Sequence, residues 1–233
     1  DLNPDRKGLI ENLSPLEGSL EEVDRLRSHF EGAFIKGADA SEFVFKNRAG
    51  QYKMLHIATH TLIDDRFPGL SKLVFSTESS TGGEDGLLHA YELYNMQLNA
   101  ELVTLSSCNT GYGRLKKGEG IASMASAFAY AGCPNMVMSL WQVKDQTTPE
   151  IMDRFYSNLA KGMIKNQALQ EAKIDFLDNY KRLYGHPYFW ASFIYMGDQQ
   201  ALEAENRKSN RTIWVGLAIL LCLLVIYGMR KIR

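Results

Sequence analysis

Cysteine is scarce in this chain, and its scarcity excludes whole classes of protein. Only Cys108, Cys133 and Cys222 occur among 233 residues, with no C-x-x-C and no zinc-ligand spacing. That excludes a disulfide scaffold and fits a reducing compartment. Residues 1–17 lack the apolar run that a secretory leader needs, so none is expected. Low-complexity tracts are missing too, and 45% hydrophobic residues suit a packed core rather than disorder. Basic charge is not in excess. The formal net charge is −1, and residues 1–205 hold 20 basic against 27 acidic residues, a balance of −7. An acidic body excludes non-specific nucleic-acid binding, which requires a basic face to displace counterions. Neither G-x-S-x-G nor G-K-[ST] occurs, so serine-hydrolase and phosphate-loop chemistry have no motif to rest on.

Acidic residues stop at Glu205. The rest of the chain carries Arg207, Lys208, Arg211, Arg230, Lys231 and Arg233. Between these groups residues 213–229 read I-W-V-G-L-A-I-L-L-C-L-L-V-I-Y-G-M, without a charge. About 17–25 such residues in a helix cross ~30 Å of hydrocarbon. Trp214 and Tyr227 sit near the two ends, as in an aromatic belt. A single transmembrane helix is expected over 213–229, with a polar connector at 199–212 and a basic tail at 230–233. The competing reading is a buried core helix, but an all-round apolar helix bounded by charges rarely fits a small soluble domain. Three basic residues flank each side, so charge leaves the orientation a tie. Unpaired cysteines and the lack of a leader point to a cytoplasmic body on a single-pass anchor.

The remaining length suits one α/β domain over 1–198. Ser19-Leu20-Glu21-Glu22 has the form of a capping box, followed at helical spacing by Val23, Leu26 and Phe30. Residues 39–42 suit the cap of a second short helix. Apolar runs at 54–59, 72–76, 102–107, 136–141 and 189–196 read as strands. Gly82, Gly83 and Gly86 mark a loop, and 89–95 a helical turn or two. Ile121, Met124, Ala125 and Phe128 fall at i, i+3, i+4 and i+7 and predict a helix stopped by Gly132. Thr147 and Glu150 flank Pro149 as a second capping box, ahead of Ile151, Met152, Phe155, Tyr156 and Leu159. Asn166 suits the cap of a helix through Leu169, Ala172, Phe176 and Tyr180. Strands alternating with such helices imply βαβ units, a mostly parallel sheet and helices on both faces.

Open parallel sheets hold their sites beyond the carboxyl ends of the strands. His60 follows the run at 54–59, and Cys108 follows the run at 102–107. If those strands are neighbours, an imidazole and a thiol meet at one rim. A thiol titrates near ~8.5 and needs a base to become a thiolate at neutral pH; imidazole is the side chain suited to that task. The two residues lie 48 positions apart, close to the ~50 of caspases, although the local caspase signature around the cysteine is absent. On spacing alone a buried structural cysteine and a loop histidine remain equally good readings. His56 and His60 with Cys108 also suggest a zinc site, for which no fourth ligand is evident.

Longer motifs go further. M-L-H-I-A-T-H at 54–60 resembles the H-x-A-T-H element of CHAT-domain peptidases, and L-S-S-C-N-T-G-Y-G at 105–113 resembles their L-S-A-C-x-T-G-x-G element. G-E-G at 118–120, A-G-C-P at 131–134, S-L-W-Q-V-K-D at 139–145, F-Y at 155–156 and H-P-Y-F-W-A at 186–191 follow in the family's order. The resemblance spans about 16–198. It implies a caspase-like αβα sandwich that cleaves peptide bonds of a protein substrate, with His60 as base and Cys108 as nucleophile. The backbone N–H groups of Thr61 and Cys108 would hold the oxyanion. Thr61 stands where the family often has Gly, and Ser107 where it has Ala. CHAT domains often follow tetratricopeptide repeats, which would serve as regulator or partner, and an idle caspase-like module for protein recognition is the alternative. Asp145 could select a basic P1 residue, or could simply begin the next helix. Neither metal nor cofactor is called for.

Overall fold

The apolar runs pair into a sheet whose order the spacing alone does not state. The computed structural model describes residues 13, 16–64, 66–78, 83–106, 119–141 and 147–202. The elements are α1 (Glu17–Leu26), α2 (Glu42–Arg48), β1 (Met54–Ile57), β2 (Thr61–Leu62), β3 (Lys72–Val74), β4 (Leu87–His89), α3 (Ala90–Leu93), β5 (Leu102–Leu105), α4 (Glu119–Tyr130), β6 (Met136–Ser139), α5 (Thr148–Ala160), α6 (Lys165–Tyr184) and β7 (Phe193–Met196). The central sheet runs β1-β5-β6-β7. Its first three strands are parallel and β7 is antiparallel. A second sheet, β2-β3-β4, is antiparallel.

Alternation along the strands divides the core in two. Leu55, Ile57, Val103, Leu105, Met136 and Met138 pack with Met124 and Phe128 of α4. Leu102, Val137 and Phe193 face the other way, toward Leu26 of α1, Phe155 of α5 and Phe176 of α6. All residues of β5 and β6 are buried, as a parallel sheet covered on both faces requires. The layering is helix, sheet, helix. Phe128, Phe155 and Phe176 are each almost wholly buried, and each such side chain stabilises the fold by about 1.5–3 kcal/mol.

The helix starts differ from the sequence expectation. Ser19 lies inside α1, and its hydroxyl donates back to Leu16 O at 2.7 Å instead of capping. Thr147 precedes α5 without a side-chain cap bond, and Asn166 lies inside α6, which begins at Lys165. Ser41 does cap α2, accepting from Val44 N–H at 3.3 Å. Helix packing, not capping, selects the other starts: α1, α5 and α6 bury continuous apolar stripes. The last strand is shorter than 189–196, because Pro187–Phe189 forms a 3₁₀ turn. Gly132 ends the α4 region at φ +105°, where an added Cβ would lie 2.3 Å from Leu98 O.

Among the described residues no helix is long and apolar enough to cross a membrane. Residues 213–229 lie outside the described residues, as do Cys108 and Asp145.

Candidate active site

β1 and β5 are hydrogen-bonded parallel neighbours with Ile57 opposite Leu105. Ser106 N–H continues the ladder, donating to Ile57 O at 3.0 Å. The register offset of 48 residues equals the interval from His60 to Cys108. Each of those two residues comes three positions after the Ile57–Leu105 pair in the sequence.

His60 is held at the rim by the small sheet. Its carbonyl accepts from Val74 N–H at 2.9 Å, and the neighbouring Thr59 hydroxyl donates to Val74 O. Thr61 is buried and opposite Leu73. Because His60 and Val74 form the hydrogen-bonded pair, Thr61 and Leu73 form the next, non-hydrogen-bonded one. The Thr61 amide is therefore directed away from β3. Its β-branched side chain is buried in the protein rather than projecting at the rim.

His56 has a different role from the one its spacing to His60 suggested. The strand ends at Ile57, so a two-residue period no longer relates the two rings. His56 Nδ1 lies 3.0 Å from Tyr156 Oη, and its Nε2 lies 3.1 Å from Glu22 Oε1. The Tyr156 hydroxyl donates to Thr104 Oγ1 at 2.9 Å, and the Ser106 hydroxyl donates to Glu22 Oε2 at 2.9 Å. These five side chains tie α1, β1, β5 and α5 together under the rim. Burial holds the Tyr156 phenol well above its ordinary pKa, so it stays a neutral donor. The His56 Nδ1 is thus engaged by Tyr156, while its Nε2 faces the Glu22 carboxylate and not His60.

Among the described residues the only His, Cys or carboxylate cluster with metal-like spacing is Glu42, Glu84 and Glu92. Its centre holds the Lys46 ammonium, at 2.7, 2.7 and 2.8 Å from the three carboxylates. Burial opposes ionisation of Glu42 and raises its pKa, against the pull of Lys46. The cluster ties α2 to the loop before β4 and to α3, and serves as an internal counter-ion set. Sequence reasoning missed it, since the acids lie far apart along the chain.

Cys133, a free thiol, is a separate case. It is fully buried before β6, and burial pushes its thiol up to about 11. Its sulfur donates to Asn135 O at 3.3 Å. It is a core residue with no part at the rim.

A layered α/β protein with a histidine just past the carboxyl end of a parallel strand, and with the strand that precedes Cys108 in sequence paired beside it, belongs to the class of caspase-like folds. A family model for the CHAT domain matches residues 4–198, and the chain belongs to that family. It is similar to tetratricopeptide repeat protein 28 of Mus musculus, 30% identical over 120 residues, and to the Homo sapiens protein of the same name, 29% identical over 120 residues. The match covers 52% of this chain and spans only 5% of the length of each relative.

Proposed function

We propose that this chain is a cysteine-type endopeptidase, with His60 activating Cys108, anchored to a membrane by residues 213–229. The observation that carries the reading is the β1–β5 register, which brings the two strand ends side by side. His60 takes the thiol proton, and the Cys108 thiolate adds to the scissile carbonyl. The tetrahedral oxyanion is held by the Thr61 and Cys108 amides, donors worth ~3–4 kcal/mol each in such a site. His60 then protonates the leaving amine, and a water activated by the same imidazole hydrolyses the thioester. The direction of the Thr61 amide, away from β3, supports its role. Asp145 is assigned to the S1 wall, selecting a basic P1 side chain.

Hydrolysis of a peptide library, with Cys108→Ala and His60→Ala as controls, tests the chemistry. Activity that survives both substitutions would defeat the assignment. Iodoacetamide labelling at neutral pH gives a second readout: fast alkylation of Cys108 that slows in His60→Ala supports the dyad. Equal, slow labelling of Cys108 and Cys133 identifies an idle module for protein recognition instead.

The names of the relatives support a regulator of tetratricopeptide-repeat type as partner. For the anchor, membrane pelleting that resists alkaline carbonate and is lost on deleting 213–229 is expected. A freely soluble full chain would remove the anchor and leave the chemistry untouched. The peptidase body is assigned to the cytoplasmic side.

A further inference from the structure

The last strand reverses direction, and that decides where the chain leaves the body. β1, β5 and β6 are parallel, with His60 just past the carboxyl end of β1. β7 is antiparallel, so Met196 lies opposite Met136 at the amino ends. Asp198, two residues on, is bonded to Asn135 and Lys165 at that same end. From Met54 to His60 the chain spans up to about 20 Å, which sets the rim and the exit on opposite ends of the sheet.

The exit end is one continuous surface. An added Cβ on Gly50 would stand 2.8 Å from Gln97 O. Leu98 N–H donates to Ala131 O, and Glu101 N–H to Lys53 O, both at 2.6 Å. Asp198 N–H donates to Asn135 Oδ1 at 2.8 Å. Residues 48–53, 94–101, 130–135, 161–165 and 196–202 therefore meet there. They hold four basic residues, Arg48, Lys53, Lys161 and Lys165, against two acids, Glu101 and Asp198, and Lys165 is paired with Asp198. Residues 1–205 as a whole carry −7, so this end runs against the charge of the body.

Aromatic side chains stand among these cations. Tyr130 is 74% exposed, and its ring meets that of Tyr94, also exposed, edge-on at 5.3 Å. The Arg48 guanidinium lies 5.9 Å from the centre of the Tyr52 ring, and Met196 is 47% exposed. Tyrosines suit protein interfaces and membrane surfaces alike, but lysines are depleted from protein interfaces and drawn to anionic lipid. The mixture therefore fits a bilayer surface.

The next step rests on the anchor at 213–229 proposed above. Only residues 203–212 separate Leu202 from it, a stretch that reaches at most about 40 Å and contains Arg207, Lys208 and Arg211. We propose that the amino end of the central sheet docks on anionic headgroups of the bilayer that holds the anchor. Tyr94, Tyr130 and Met196 sit at headgroup level, and Arg48, Lys53 and Lys161 pair with the lipid anions. The His60 rim then faces away from the bilayer, and its substrate is a protein segment on the aqueous side.

Covalent footprinting of the 233-residue chain in vesicles tests this. Acetylation of Lys161 and radical oxidation of Tyr130 and Met196 should be ~5-fold or more slower in phosphatidylcholine–phosphatidylserine vesicles than in phosphatidylcholine alone. Lys181, exposed near the opposite end of the sheet in the last turn of α6, should keep its rate. Lys53→Glu combined with Lys161→Glu should return Tyr130 to its rate in phosphatidylcholine, with the melting temperature kept. Equal rates in the two vesicles would overturn the proposal. So would protection of Lys181, which turns the rim toward the bilayer, or lipid-free protection of Tyr130 that grows with protein concentration, which means a second copy. Extraction by alkaline carbonate refutes the anchor instead. The docking face then stands only if Tyr130 and Lys161 stay protected on anionic vesicles at neutral pH and added salt reverses it.

Discussion

The two ends of the central sheet are built on opposite plans. At the amino end of β6 polar side chains pair with one another. Asn135 Oδ1 accepts from Tyr195 Oη and from Asp198 N–H, at 2.9 and 2.8 Å, and its amide donates to Asp198 Oδ2. Lys165, itself buried, donates to Asp198 Oδ1 at 3.0 Å. At the carboxyl end main-chain bonds through Val74 and Ser106, with the Thr59 hydroxyl on Val74 O, hold the backbone while His60 lines the cavity wall. One end locks β7 to the sheet; the other holds His60, the residue the proposed function would use. On the proposed function, stability and reactivity would be divided between the ends of the same strands.

The sharpest way to break this contrast is at the rim. His60→Ala is expected to lower peptide hydrolysis by roughly 10²–10⁴-fold, with the melting temperature nearly unchanged. A large loss of stability instead would make His60 a structural residue. At the opposite end Gly197→Ala should act the other way. Gly197 has φ +138°, and an added Cβ would stand 2.1 Å from Asn135 Oδ1 and 2.8 Å from its Cα. A loss on the order of 3 kcal/mol is expected in denaturant unfolding, with His60-dependent chemistry kept in the folded fraction.

Tyr156→Phe probes the layer between the ends. It strips a partner from both His56 and Thr104, and a buried group left unpaired costs about 1–3 kcal/mol. An unchanged unfolding midpoint would show that the chain of side chains beneath the rim contributes nothing.

A smaller effect sets the pH dependence of the amino end. The Asp198 carboxyl is held below its ordinary value, first by the Gln200 N–H and then by Lys165. A depressed acid stabilises the folded state above its ordinary pKa of ~3.9, and that gain disappears as pH falls through the lower folded value. The stability gap between wild type and Asp198→Asn should therefore close on acidification. At neutral pH it should be only about 0.5–1 kcal/mol, because solvent screens a half-exposed carboxylate. The smallest expected signal is at Cys133, whose thiol, pushed up to about 11 by burial, should resist alkylation in the native protein at neutral pH. Rapid labelling there would contradict its core placement.

Much of the architecture was legible in the residues. The run at 54–59 does hold a strand, and i, i+3, i+4, i+7 spacing found α4. Two-residue β2 and three-residue β4 escaped notice, because elements so short have no period to read. The capping boxes at Ser19 and Thr147 misled, since a Ser or Thr near an apolar stripe is decided by where the stripe packs. The His56 network was beyond reach: Glu22 meets Ser106 across 84 positions, and His56 meets Tyr156 across 100.

The letters alone determined the strand-and-helix alternation, the 48-residue interval between His60 and Cys108, and the uncharged stretch at 213–229. Those are local or countable properties, set by side-chain polarity and chain length. Only the tertiary structure decided which strands are neighbours, in what register, and that β1 stands at an edge with outward-facing amides. Main-chain hydrogen bonding is the same for every residue type, so the choice of partner comes from packing between segments remote along the chain.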